Sequence, residues 1–149
     1  MALGDNTLRS AAGNSQRGRN PFMVQTTLNW ATALSDKGGA LAAADVVPVI
    51  AVPKGTMILN AGIEVDTATD GSTFTVDLGT GVDPDVFVDG FDATSAAAVV
   101  AQNPAAYQPV MAVADDNIDV TIASLSGGAV TSGKFRVWAV LMDCTDMGD

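Results

Sequence analysis

Met57-Ile58-Leu59-Asn60-Ala61-Gly62-Ile63-Glu64-Val65-Asp66 is the stretch whose reading decides the fold. Met57, Leu59, Ala61, Ile63 and Val65 fall on one parity; Ile58, Asn60, Gly62, Glu64 and Asp66 fall on the other. A period of two marks a half-buried β-strand, because successive side chains of a strand leave it on opposite faces. The same period recurs downstream. After the turn signal Asp70-Gly71, Phe74, Val76 and Leu78 alternate with Thr73, Thr75 and Asp77, and Ile118, Val120 and Ile122 alternate with Asp119 and Thr121. The last such segment, Lys134 to Asp143, is apolar on both parities through Val137-Trp138-Ala139-Val140-Leu141-Met142. A strand covered on both faces lies at the centre of a sheet, under a second layer or under another subunit. This makes Trp138, Val140 and Met142 the candidate subunit-interface residues.

Turn formers punctuate the region: Pro53-Lys54-Gly55, Gly79-Thr80-Gly81, Asp83-Pro84-Asp85, Asp89-Gly90 and Ser126-Gly127-Gly128. Six to eight short strands at such intervals predict an all-β fold, a single β-sandwich of Greek-key or jelly-roll type. Residues 93–102 predict one short helix, with Asp92 or Thr94 as its N-cap. Upstream the pattern changes. Gly13 to Pro21 has no apolar periodicity, Phe22-Met23-Val24 and Leu28-Asn29-Trp30 are apolar islands, and Ser35-Asp36-Lys37-Gly38-Gly39 reads as a turn. The expected organisation is an N-terminal arm and loop segment, 1–45, and a β-sandwich domain, 46–149.

At 149 residues, 48% of them apolar, the chain is long enough to bury a core. The apolar content favours Ala and Val, and aromatics are 5%. Such a core suits close-packed strands or neighbours that supply buried area. Seventeen acids against seven bases give a net charge of −10. The first nineteen residues hold Arg9, Arg17 and Arg19 against Asp5, so a basic arm precedes an acidic body. That body repels phosphate, which argues against nucleic acid as a partner. No apolar run approaches the ~20 residues of a membrane span, and the N-terminus lacks the basic and apolar regions of a secretory signal. Synthesis and folding in a cytoplasm are expected, with no membrane partner.

The chemistry available is narrow. There is no histidine, which removes His-based nucleophilic catalysis and the usual zinc and copper ligands. The single cysteine, Cys144, has only Asp143 and Asp146 near it in sequence, which would raise its pKa, and is expected to be a small semi-buried side chain. No Walker loop or dinucleotide fingerprint is present. A glycosidase-type carboxylate pair would want aromatic platforms, and the chain offers only Trp30, Trp138 and Tyr107. The expectation is no catalytic residue, no cofactor and no enzyme. One acidic loop, Asp83-Pro84-Asp85-Val86-Phe87-Val88-Asp89-Gly90-Phe91-Asp92, offers hard oxygen ligands at Asp83, Asp85, Asp89 and Asp92 that would suit calcium. Its spacing is not that of a helix-loop-helix calcium site. The competing reading is a solvated loop whose aspartates initiate turns.

Val52-Pro53-Lys54-Gly55-Thr56 before an alternating strand, then Asp70 to Gly81, Asp83-Pro84-Asp85 and Phe87 to Asp92, closed by the apolar strand Phe135 to Met142, resembles small tailed-bacteriophage virion proteins. These include capsid decoration (cement) proteins and head-fibre modules. The resemblance covers residues 52–143. It implies a jelly-roll-like sandwich, often a homotrimer, on the exterior of the capsid, where it clamps neighbouring major capsid proteins. The segment carrying Arg9, Arg17, Arg19 and Phe22 would then be the capsid-contact arm. The alternative is a tail or head fibre or knob component that binds a host surface.

Overall fold

The computed structural model describes residues 20–95, 100–101 and 109–145. Arg9, Arg17 and Arg19 lie outside them. The described chain is a sandwich of two antiparallel sheets. Its elements are β1 (Phe22–Asn29), α1 (Trp30–Lys37), β2 (Val46–Val52), β3 (Thr56–Thr67), β4 (Thr73–Thr80), β5 (Val88–Asp92), β6 (Val100–Ala101), β7 (Val110–Met111), β8 (Asp116–Ser126) and β9 (Lys134–Asp143). The first sheet runs β1-β9-β3-β6, with β7 also pairing β3; the second runs β2-β8-β4-β5. The expected all-β sandwich is therefore the observed one. The two-faced strand, β9, sits between β1 and β3, as its double apolar character requires.

The core lies between the sheets. Phe135, Val137, Ala139 and Leu141 of β9 and Ile58, Ala61, Ile63 and Val65 of β3 face Phe74, Val76 and Leu78 of β4 and Ile118, Val120 and Ile122 of β8. Its centre is aromatic. Trp30 is fully buried and meets Phe74 and Phe135 edge-on, with ring centroids 4.9 and 5.5 Å away. Such T-shaped pairs add roughly 0.5–1.5 kcal/mol each beyond the burial itself. A chain poor in aromatics thus concentrates several of them at one point.

Three expectations are corrected. Residues 22–37, expected in the arm-and-loop segment, are built into the sandwich. β1 pairs with β9 over its whole length, from Phe22 opposite Leu141 to Asn29 opposite Lys134, so the folded body begins well before residue 46. The apolar islands were strand and core residues whose polar flanks face solvent. Ser35-Asp36-Lys37-Gly38 is the end of a helix rather than a free turn. The Asn29 side chain accepts from the Ala31 amide at 3.0 Å to start α1, and Gly38, at φ +68°, ends it by donating to Leu34 and Ser35 carbonyls. The helix expected over 93–102 is not formed in its described part. Asp92 does accept from Thr94, but through a turn, and Val100–Ala101 instead pair with Ile63 and Glu64 on the open side of β3.

β3 also departs from strict alternation. Its pairing with β9 shifts between Ile58 and Asn60, a β-bulge that absorbs Leu59. One extra residue exchanges the faces. Ile58 is buried with Ala61, Ile63 and Val65, while Met57, placed with them by parity, turns to the outside.

A candidate binding face on the first sheet

Directly paired residues of an antiparallel sheet point to the same side, so the register assigns the outer face of the first sheet without ambiguity. On β9 the outward residues are Lys134, Arg136, Trp138, Val140 and Met142, all outside the core. Met142 is opposite Met57, which is opposite Met111 of β7. Val140 is flanked by Met23 of β1 and Asn60 of β3, Trp138 by Gln25 and Gly62, and Arg136 by Thr27 and Glu64. Four of the chain's six methionines, Met23, Met57, Met111 and Met142, therefore share one face with Trp138 and Val140. Met23 is 63% exposed and Met111 36%. From β1 to β7 the patch is about 14 Å wide, and from Trp138 to Met142 about 13 Å long.

Its geometry is set by backbone constraints. A Cβ on Gly62 would fall 2.4 Å from the Trp138 indole, so the ring lies flat on the β3 backbone and only glycine admits it. This fixes a large flat apolar surface beside four flexible thioethers, which adapt to irregular partners. Arg136 closes the polar end of the face with an ion pair to Glu64 at 3.0 Å. Sequence parity isolated Trp138, Val140 and Met142. It missed Met57, because the bulge reverses its face, and Met23 and Met111, because their strands stand out only once paired. Phe22 lies on β1 opposite Leu141, at the strand's end, and is 47% exposed.

The acidic loop looks different from a metal centre. Asp92 is occupied by the Thr94 amide and hydroxyl, at 2.9 and 2.6 Å, which hold its carboxyl below the usual range. Asp83 and Asp85 share a hydrogen bond that raises the pKa of Asp83, and the charge of Asp85 acts in the same sense. Asp77 is raised by burial, against the Gly90 amide it accepts, and further by the charges of Asp89 and Asp85. Among the described residues no group of three His, Cys, Asp or Glu side chains is arranged to hold a metal ion, and Asp83, Asp85, Asp89 and Asp92 are not brought together as a ligand set.

Most described aspartates instead clip turns. Asp70 accepts from the Thr131 and Ser132 amides at 2.9 and 3.1 Å, Asp115 from Lys54 at 2.9 Å, Asp116 from Gly81 at 3.3 Å, and Asp143 from Thr145 at 2.9 Å. The Thr131 hydroxyl and these amides pull Asp70 down to about 2. Where the sheets part at one end, Val52, Ile58, Val110 and Ala112 line an apolar cleft of about 370 Å³. Val82 and Val113 stand exposed at its rim. Cys144 is buried and its amide is bonded to Gly55.

This is the class the geometry defines: a two-sheet antiparallel sandwich with one methionine- and tryptophan-bearing outer face. No protein-family profile matches the chain, and no curated protein matches it by sequence. Its fold is that of chains in two phage capsids. It superposes on a chain of the cyanophage Pam1 capsid asymmetric unit with a TM-score of 0.66 at 17% identity, over 95% of this chain and 98% of that one. It superposes on a chain of the Ralstonia phage GP4 capsid with a TM-score of 0.58 at 16% identity, over 83% and 84% of the two chains.

Proposed function

We propose that this chain is a viral structural protein, a capsid decoration (cement) protein that binds the outer surface of a phage head and stabilises contacts between major capsid proteins. The observation that carries the reading is the fold shared with a Pam1 capsid chain over nearly the full length of both. The strand order supports it. A five-stranded sheet β1-β9-β3-β6, with β7 also on β3, facing a four-stranded sheet β2-β8-β4-β5 is compatible with a jelly roll, an architecture common in viral capsid proteins.

Charge supports an exterior position. The segment 1–19 holds three of the seven bases and one of the seventeen acids, which leaves four bases against sixteen acids in the rest. A body of that sign is repelled by packaged nucleic acid. In this reading Arg9, Arg17 and Arg19 belong to the arm that contacts the major capsid protein, and Phe22, the first residue of β1, stands at its base. Trp138, Val140 and Met142 belong to the interface between copies in a homotrimer. The remaining surface needs no catalytic group or cofactor.

Binding to undecorated heads of the virus that carries this sequence tests the reading. Saturable binding at hundreds of copies per particle is expected. A head fibre or knob component would give a few dozen copies at most, and no affinity for heads would end the decoration reading in favour of a tail component. Removing residues 1–20 is expected to leave a folded sandwich that binds heads more weakly, and unchanged occupancy would remove the anchor role of the arm.

A further inference from the structure

A sheet edge presents unpaired N–H and C=O groups to any passing strand, and proteins guard edges with charge, proline, bulges or shortness. Among the described residues, β2 is guarded by Pro48 and a register shift between Pro48 and Ile50. β5 has five residues, among them Asp89, Gly90 and Asp92, and β6 and β7 have two residues each. β1 has none of these devices. Its eight residues, Phe22-Met23-Val24-Gln25-Thr26-Thr27-Leu28-Asn29, contain no charge and no proline, and its register with β9 is unbroken. No described strand lies on its other side. About half of its backbone polar groups, roughly eight, point away from β9.

The pattern of β1 selects what it pairs with. Laid antiparallel to itself across a twofold axis through Gln25, it sets core-side residues against core-side residues, Phe22 opposite Leu28 and Val24 opposite Thr26. On the outer side Met23 meets Thr27, and Gln25 meets Gln25. No like charges oppose one another, in a molecule whose net charge of −10 makes most other surfaces repel a second copy. The segment 1–19 is a poor competitor, because Gly4, Asn6, Ser10, Gly13, Asn14, Ser15 and Gly18 disfavour an extended strand. We propose that two copies of this chain pair antiparallel through β1 and join their first sheets into one continuous sheet. A twofold axis normal to that sheet brings both methionine- and tryptophan-bearing faces to the same side. The pairing uses an edge that contacts through Trp138, Val140 and Met142 leave open, and it does not rest on the capsid reading.

The test is the mass of the full chain in solution by light scattering. Gln25 is exposed, so Gln25→Lys and Gln25→Glu each keep the fold but place two like charges opposite one another at the axis. Each variant alone is expected to have half the assembly mass of the original protein. Mixing the two is expected to restore it, because Lys then faces Glu. Val46→Lys, on the guarded edge of β2, is expected to leave the mass unchanged. Hydrogen exchange gives a second readout in the unaltered protein, with β1 amides protected when concentrated and faster on dilution. Unchanged mass in either Gln25 variant, failure of the mixture to reassemble, or β1 exchange independent of concentration overturns the proposal. Head binding enters none of these readouts, so the capsid reading stands or falls separately.

Discussion

Trp30→Ala is expected to cost distinctly more stability than Trp138→Ala, although these are the chain's only two tryptophans. Trp30 is completely buried between Phe74 and Phe135. Truncating such a ring costs about 3–5 kcal/mol, because two sheets held by their hydrogen bonds cannot close on the cavity. One term opposes this. Among the described residues the Trp30 Nε1 finds no hydrogen-bond partner, and removing a desolvated donor returns about 1 kcal/mol. The two T-shaped pairs lost with it place Trp30 at the upper end of that range, so the net expectation is about 4 kcal/mol for Trp30→Ala. Trp30→Phe, which keeps a ring and loses the orphan N–H, should cost under about 1.5 kcal/mol. Trp138 is half-buried, with its indole packed on Gly62. Losing roughly 100 Å² of contact at about 25 cal/mol per Å² gives about 2.5 kcal/mol. Urea unfolding followed by far-ultraviolet circular dichroism separates the three variants, since fluorescence would lose a reporter. One fixed protein concentration is required, because self-association adds its own stability. A Trp30→Ala midpoint equal to or above that of Trp138→Ala would refute the placement of residues 22–37 in the body.

Stability should rise as the pH falls from 7 toward the carboxylate range, then collapse near pH 2. Asp77, Asp83 and Asp119 are raised by burial, by shared hydrogen bonding or by neighbouring carboxylates, so they oppose folding while ionised and stop doing so when protonated. Asp70, lowered to about 2, favours folding while ionised, and its contribution disappears as the pH approaches that value. Thermal melts across this range check the shape, and a monotonic loss from pH 7 downward would contradict it. Asp70→Asn is expected to lower the melting temperature at pH 7 and to blunt the collapse near pH 2. Gly79→Ala would drive a Cβ to 2.2 Å from the Asp83 carbonyl and the Pro84 backbone, atoms that cannot swing aside. It should cost about 1–3 kcal/mol in denaturant midpoint. Gly62→Val displaces the Trp138 indole and should weaken assembly or head binding more than it weakens the fold.

Strand content, the centrality of β9 and the inward sets of β4 and β8 were legible because each follows from a period of two, which nearest neighbours decide. What was not legible depends on partners distant in sequence. Trp30 stands next to residues that look like a loop, and only its meeting with Phe74 and Phe135, more than forty and one hundred positions away, makes it the core's centre. The acid-rich composition suggested ligands. Most of those carboxylates hold main-chain amides across turns instead, a use that needs no fixed spacing. The Asp70-to-Thr131 clip spans 61 positions.

The bulge at Leu59 shows how one residue can move side chains between faces. With unbroken alternation Met57 would sit inside and Ile58 outside, and the outer row of Met142, Met57 and Met111 would be broken at its middle. Deleting Leu59 therefore makes a sharp test. In the shortened β3 Asn60 follows Ile58 directly, so plain alternation keeps Ile58 inside with Ala61, Ile63 and Val65 and leaves Met57 outside. The sandwich and the outer methionine row should both survive, because only the unpaired extra residue is lost. Comparable unfolding midpoints with unchanged assembly or head binding are the expected result. A deletion variant that keeps its fold but loses binding would mean that Leu59 itself, and not the row it sets in register, is what a partner reads.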